Sequence, residues 1–224
     1  MTDRLTTIKS NVERILQEIP EHVTLVAAGK TRSPEEVEAA VQAGLQHVGH
    51  NYVQEAQSMI DVLGDQVQWH MIGHLQRNKA KVAVALFDMI ESLDSWRLAK
   101  ELEKRCAQAN KTLPVLIEIN SGSEGSKTGV LPKDTQALVE QVSELPHLRI
   151  QGLMTMGPAF GDPENARPYF QATRQTLERL ARLHLPNVEM HILSMGMSNS
   201  YRVAIEEGAT MIRLGTILFG ERQA

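Results

Sequence analysis

The chain has 224 residues, 42% hydrophobic and 22% charged, with a formal net charge of -4 and a pI near 6.1. An acidic balance without lysine- or arginine-rich runs argues against a nucleic-acid footprint, and no apolar stretch approaches the ~18–20 residues that span a bilayer. The single cysteine, Cys106, precludes an internal disulfide and fits a reducing compartment, so a cytoplasmic protein is expected.

Near the N-terminus, Leu5, Ile8, Val12, Ile15 and Ile19 fall at helical spacing among charged residues. They predict a surface helix packed on the domain, and no signal-peptide h-region is present. Short apolar runs then recur, each followed by a segment with helical spacing. The predicted strands are residues 23–29, 46–50, 67–73, 87–91, 114–120, 148–155, 188–193 and 209–213. Between the first two, Ser33 reads as an N-cap with Pro34 at the first helical position, Glu36 closing a capping box and Gly44 just past the end. A later helix places Leu98, Leu102 and Cys106 on one face. The longest is expected to open at Asp162-Pro163, with Pro168 in its first turns, and a short one stops at Gly208.

Strands alternating with helices indicate a parallel sheet with helical crossovers. No Pro/Gly/Ser-rich linker interrupts the sequence, so residues 1–224 are expected to form one domain. At this length a closed (β/α)8 TIM barrel with an extra N-terminal helix fits better than an open sheet, though it is compact beside the typical ~250 residues.

In such barrels chemistry sits at the C-terminal ends of the strands, and phosphate often binds after the last two. The seventh predicted strand delivers "SMGMSNS", with Gly196, Met197 and Ser198 just before a helix. The eighth delivers Arg213 and then Gly215-Thr216. Backbone N–H groups and hydroxyls gathered there form a plausible phosphate cup. Closure pairs the eighth strand with the first, which ends at Lys30. A primary amine beside such a cup suits an imine with a phosphorylated aldehyde. Gly29-Lys30-Thr31 also resembles the tail of a P-loop, but Thr24 stands where that motif needs its first glycine, and at 122–129 Ser126 stands where glycine should precede Lys127. His70 and His74, if on a strand, would lie ~13 Å apart at ~3.3 Å per residue, too far for one zinc ion. No metal site is expected, and both read as strand-end or loop polar residues.

Taken in order, Lys30 after a short strand, "GHNYVQE", "WHMIGHLQRNK", "GSKTG", "QGLMTM", "LSMGMSNS" and "MIRLGTILFG" resemble the pyridoxal-phosphate homeostasis protein family (the YggS/PROSC-like proteins). The resemblance implies a barrel like the alanine racemase N-terminal domain, holding pyridoxal 5′-phosphate (PLP) as an internal aldimine on Lys30. It further implies that Met197, Ser198, Gly215 and Thr216 hold the phosphate, that Arg213 faces the pyridine nitrogen and that Asn51 lies near the ring. The implied role is PLP homeostasis, with effects on amino-acid and keto-acid balance and without turnover of its own. Four positions depart from the usual pattern: Gly29 where a serine is common, His50 for the acid of "GEN", His74 for a proline, and Ser200 for an acid. Ser200 can still cap the following helix, whereas His50 would alter the charge at the barrel mouth.

Two other classes compete with a carrier. A racemase would need a second acid/base, which in the similar barrel racemases comes as a tyrosine from a β-rich domain across a dimer interface; the sequence stops after its eighth strand. A Schiff-base aldolase would leave Lys30 free, and Lys127 is the second candidate imine lysine. Without the racemase-type interface a monomer is expected, with small-molecule PLP as the ligand and no nucleic-acid or membrane partner.

Overall fold

The computed structural model describes residues 2–122, 128–158 and 161–221. Helix α1 (Thr2–Glu18) precedes strand β1 (Thr24–Ala28), and alternation follows: α2 (Pro34–Gln42), β2 (His47–His50), α3 (Val53–Leu63), β3 (Gln68–Met71), α4 (Ala80–Leu86) and β4 (Met89–Leu93). The second half continues with α5 (Trp96–Ala109), β5 (Leu113–Ile119), α6 (Thr135–Ser143), β6 (Leu148–Thr155), α7 (Arg167–Ala181), β7 (Val188–Ser194), α8 (Tyr201–Glu206), β8 (Met211–Leu214) and α9 (Thr216–Phe219). The strands are all parallel and close in sequence order, with β1 paired to both β2 and β8. This is the (β/α)8 barrel that the alternation predicts.

Local chemistry explains the elements. The α2 capping box is complete: Ser33 Oγ accepts from the Glu36 N–H, and the Glu36 carboxylate accepts from the Ser33 N–H at 3.0 Å. Ile8, Val12, Ile15 and Ile19 of the first segment are buried, as are Leu98, Leu102 and Cys106 of α5. Two apolar clusters result. The larger lies between sheet and helices; a smaller one, containing Val26, Ile72, Met89, Leu116, Met154 and Met211, fills the barrel. No helix among the described residues is long and apolar enough to cross a membrane.

Two expectations change. The fourth strand lies at Met89–Leu93 rather than 87–91, because Phe87 closes α4 with its N–H on Ala83 O and the Asp88 carboxylate accepts the Trp69 N–H at 2.7 Å. The helix expected to open at Asp162 begins instead with a 3-10 turn, Pro163–Ala166, in which Asp162 accepts from the Glu164 N–H. Pro168 then stands at the start of α7, which with 15 residues is shorter than α1 with 17.

Candidate functional site

The backbone after β1 is set by two neighbours. The Gly29 N–H donates to Gly49 O at 2.9 Å, and the Arg32 guanidinium donates to Gly220 O at 2.7 Å and packs on the Phe219 ring. Between them lies Lys30, partly buried, followed by Thr31 at φ 61. A β-branched residue in the left-handed region costs roughly 1–2 kcal/mol, and such strain persists where the surroundings over-determine it, often at functional sites.

Across the closure, the turn after β7 is equally constrained. Gly196 has φ 95, and a Cβ there would stand 2.6 Å from the Ala204 Cβ, so only glycine lets α8 approach. Ser198 Oγ accepts from the N–H groups of Gly215 (3.3 Å) and Ile217 (3.4 Å), at the entrance to α9. Ser200 does not cap α8 with its side chain; its hydroxyl turns back to accept from the Met197 N–H at 3.3 Å, bracing the turn instead.

Six of the seven residues expected at the site, Lys30, Met197, Ser198, Arg213, Gly215 and Thr216, line one cavity of about 450 Å³ at this end of the barrel. Asn51 lines a neighbouring depression of about 380 Å³ with Tyr52, His74 and Lys79. It turns toward β3 because its backbone packs against Gly73, where an added Cβ would meet Asn51 O at 2.6 Å. Lys127 lies outside the described residues.

Below the cavity runs a buried row of polar groups that the sequence did not announce. Arg213 Nη1 donates to Ser194 Oγ, and Nη2 donates to Thr155 O at 2.9 Å. The Ser194 hydroxyl donates to Glu91 Oε2 at 2.6 Å, and Glu91 Oε1 lies 2.8 Å from His70 Nδ1. His70 Nε2 in turn lies 3.1 Å from His47 Nδ1. Burial alone would raise the Glu91 carboxyl, but the hydrogen bond from His70, the Arg213 charge and the Ser194 hydroxyl bring it below its ordinary value. Burial pulls Arg213 down, opposed by Glu91 and Glu118. Glu118 goes the other way: burial raises it against its Thr128 hydrogen bond, and its Oε2 has no partner among the described residues. The signal that could have found this row was present. Single charged or imidazole groups interrupt the buried apolar runs "QWHM", "MIESL" and "MIRL", and an isolated charge in a buried strand calls for a partner.

The histidines therefore differ from their sequence reading. His70 is no strand-end residue but a buried member of this row. His74 is exposed, its Nδ1 3.3 Å from Asp94 Oδ2. Among the described residues no group of 3 or more His, Cys, Asp or Glu converges as a metal site would require. His50 is not at the mouth. It is 1% exposed, packed behind the sheet with its ring centroid 5.9 Å from that of Trp69, and neither ring nitrogen has a hydrogen-bond partner among the described residues.

The donor set of the cavity fits a phosphorylated aldehyde: a primary amine, a guanidinium, two clustered backbone N–H groups and the Ser198 and Thr216 hydroxyls. Comparison with known proteins agrees. Residues 4–223 match the family described as alanine racemase, N-terminal domain. A pyridoxal phosphate homeostasis protein of Aquifex aeolicus is 44% identical over 200 residues, covering 89% of this chain and 87% of that protein. PipY of Synechococcus elongatus, solved with PLP bound, superposes with a TM-score of 0.87 at 33% identity, over 95% of this chain and 100% of its own. Alanine racemase of Corynebacterium glutamicum shares the fold, with a TM-score of 0.78 at 16% identity, over 98% of this chain and 62% of that enzyme.

Proposed function

The chain belongs to the pyridoxal phosphate homeostasis proteins, built on the barrel of the alanine racemase N-terminal domain, and on that premise we propose that it binds PLP in the Lys30 cavity as a carrier rather than as an enzyme. The observation that carries this reading is the convergence of Lys30, Arg213 and the Ser198–Gly215–Thr216 cup on one cavity. When bound, the cofactor supplies an aldehyde for a primary amine and an electron-withdrawing ring. Lys30 is the covalent anchor. Ser198, rotated about χ1, releases the Gly215 and Ile217 N–H groups to an anion, and the Met197 turn and Thr216 hydroxyl complete the cup. Arg213 would meet the ring nitrogen of a bound cofactor as a donor only, and a guanidinium keeps its proton. It would therefore leave that nitrogen unprotonated, a weak electron sink. Asn51 would reach a bound ring only from the neighbouring depression that it lines.

The carrier reading also rests on what faces Lys30. Besides Lys30, the titratable residues among those described in the cavity lining are Arg213, which cannot exchange its proton, and the exposed Glu221. No tyrosine or histidine lies among them, so a two-base exchange of a Cα proton lacks a matched second acid. As one cytoplasmic, monomeric barrel unit, the protein would hold and release PLP and so act on amino-acid and keto-acid balance.

Borohydride reduction of the PLP-treated protein followed by peptide mapping tests the anchor. The expected result is a pyridoxyl group on Lys30, lost in Lys30→Ala together with the visible chromophore. Label elsewhere, or alanine racemisation well above that of free PLP, would sink the reading.

A further inference from the structure

The row beneath the cavity has a direction. Glu91, ionised, only accepts hydrogen bonds, so the proton on its Oε1 side belongs to His70 Nδ1 and that on its Oε2 side to Ser194. A neutral His70 with Nδ1 protonated then offers a lone pair at Nε2, and His47 must donate to it from Nδ1. All donors point toward Glu91 from both ends. The far end is not sealed: His47 is only partly buried and lines a depression of about 210 Å³ with Glu21, Thr24 and Gln46, at the face of the barrel opposite Lys30. The near end is Arg213, which lines the Lys30 cavity. A continuous hydrogen-bonded path thus crosses the barrel.

We propose that Glu91 and His70 are positioning residues that hold Arg213 at the cavity wall, and that His47 links this hold to proton uptake at the opposite face. The inference rests on the PLP-binding reading above and deepens it. The step is a simple transfer. Hydronium at the opposite face gives a proton to His47 Nε2 and leaves water, the Nδ1 proton of His47 passes to His70 Nε2, and the result is a neutral His47 and a His70 imidazolium. No other bond changes. The imidazolium competes with Ser194 and Arg213 for the Glu91 carboxylate, and the guanidinium loses part of its anchorage. Other ionisable groups face this path: Asp88 acts on His47, and Glu118 acts on Arg213 and itself feels Asp94 and His74. Glu118, raised toward its neutral form, supplies little charge to replace Glu91.

The test uses the full protein in two ways. Imidazole NMR of the ligand-free protein reads the tautomers and titrations of His47 and His70, and PLP titrations followed by absorbance give affinity from pH 8 to pH 5. We expect His70 to be protonated at Nδ1 and not at Nε2 at neutral pH. PLP binding should lower the histidine titration midpoint by about one pH unit, the reciprocal of an about tenfold loss of affinity in acid. Glutamine at position 70 can donate to Glu91 and accept from His47 without taking a proton, so His70→Gln should flatten the pH dependence relative to wild type. Titrations of PLP itself are common to both proteins and cancel. His47→Gln, at a partly exposed position, repeats the test if His70→Gln does not fold. A histidine midpoint unmoved by PLP, or variants that keep the wild-type pH profile, would overturn the inference while leaving PLP binding intact. A wild-type protein that binds no PLP would overturn the proposed function itself.

Discussion

Two buried histidines on neighbouring strands sit in opposite environments. His70, on β3, points into the barrel and meets Glu91 and His47. His50, on β2, points outward between sheet and helices, beside Trp69 and Gly29, with neither ring nitrogen paired among the described residues. Strand parity separates them, because successive side chains leave a strand on opposite faces. At these two positions the inward face supplies polar partners and the outward face apolar packing, so the inward imidazole is paired and the outward one has no partner among the described residues.

The comparison is broken most forcefully at His70. His70→Leu removes a buried hydrogen bond to the Glu91 carboxylate, and losing such a bond to a charged group costs about 1.5–3 kcal/mol. At His50 the sign should reverse, since His50→Leu removes an unsatisfied buried group whose desolvation costs about 1–3 kcal/mol. Urea unfolding of both variants at neutral pH checks the contrast. Equal losses at both sites would show that His50 has a partner in solution.

Gly29 sharpens the picture of the outer layer. A Cβ there would lie 3.1 Å from His50 Nε2 and 3.1 Å from Val48 Cγ1, so the glycine before Lys30 and the histidine at 50 share one space. Gly29→Ala should destabilise by about 1–3 kcal/mol through overpacking. In a His50→Ala background the loss should shrink, and a double-mutant cycle reads the coupling. Additive effects would separate the two departures from the family pattern.

The smallest effect at neutral pH, and one that grows only in acid, is in pH dependence. Burial lowers His50 to about 4, against an ordinary 6.5. There the folded protein refuses a proton that the unfolded chain accepts. Stability is full above pH 6.5 and falls as pH drops from 6.5 toward 4, by at most ~1.4 kcal/mol per pH unit for this histidine. His50→Leu should flatten the acid limb of a stability–pH curve by up to one proton, and an unchanged slope would place that titration elsewhere.

Much of this molecule is determined locally and is therefore legible in the sequence. The capping box at Ser33, the apolar face from Ile8 to Ile19 and the alternation of strand and helix follow from residues a few positions apart. The cavity around Lys30 was also legible, because its parts stand at strand ends whose meeting is dictated once β8 closes on β1. Tertiary structure alone decided the rest. Parallel strands buried on both faces read as continuous apolar runs, so the sequence does not mark which residue points inward. The row from His47 through His70, Glu91 and Ser194 to Arg213 draws on five different strands. The turn that sent Asn51 toward β3 was fixed by one close backbone contact at Gly73. Contacts of that kind exist only after the barrel closes, since closure sets the register between strands far apart in the chain.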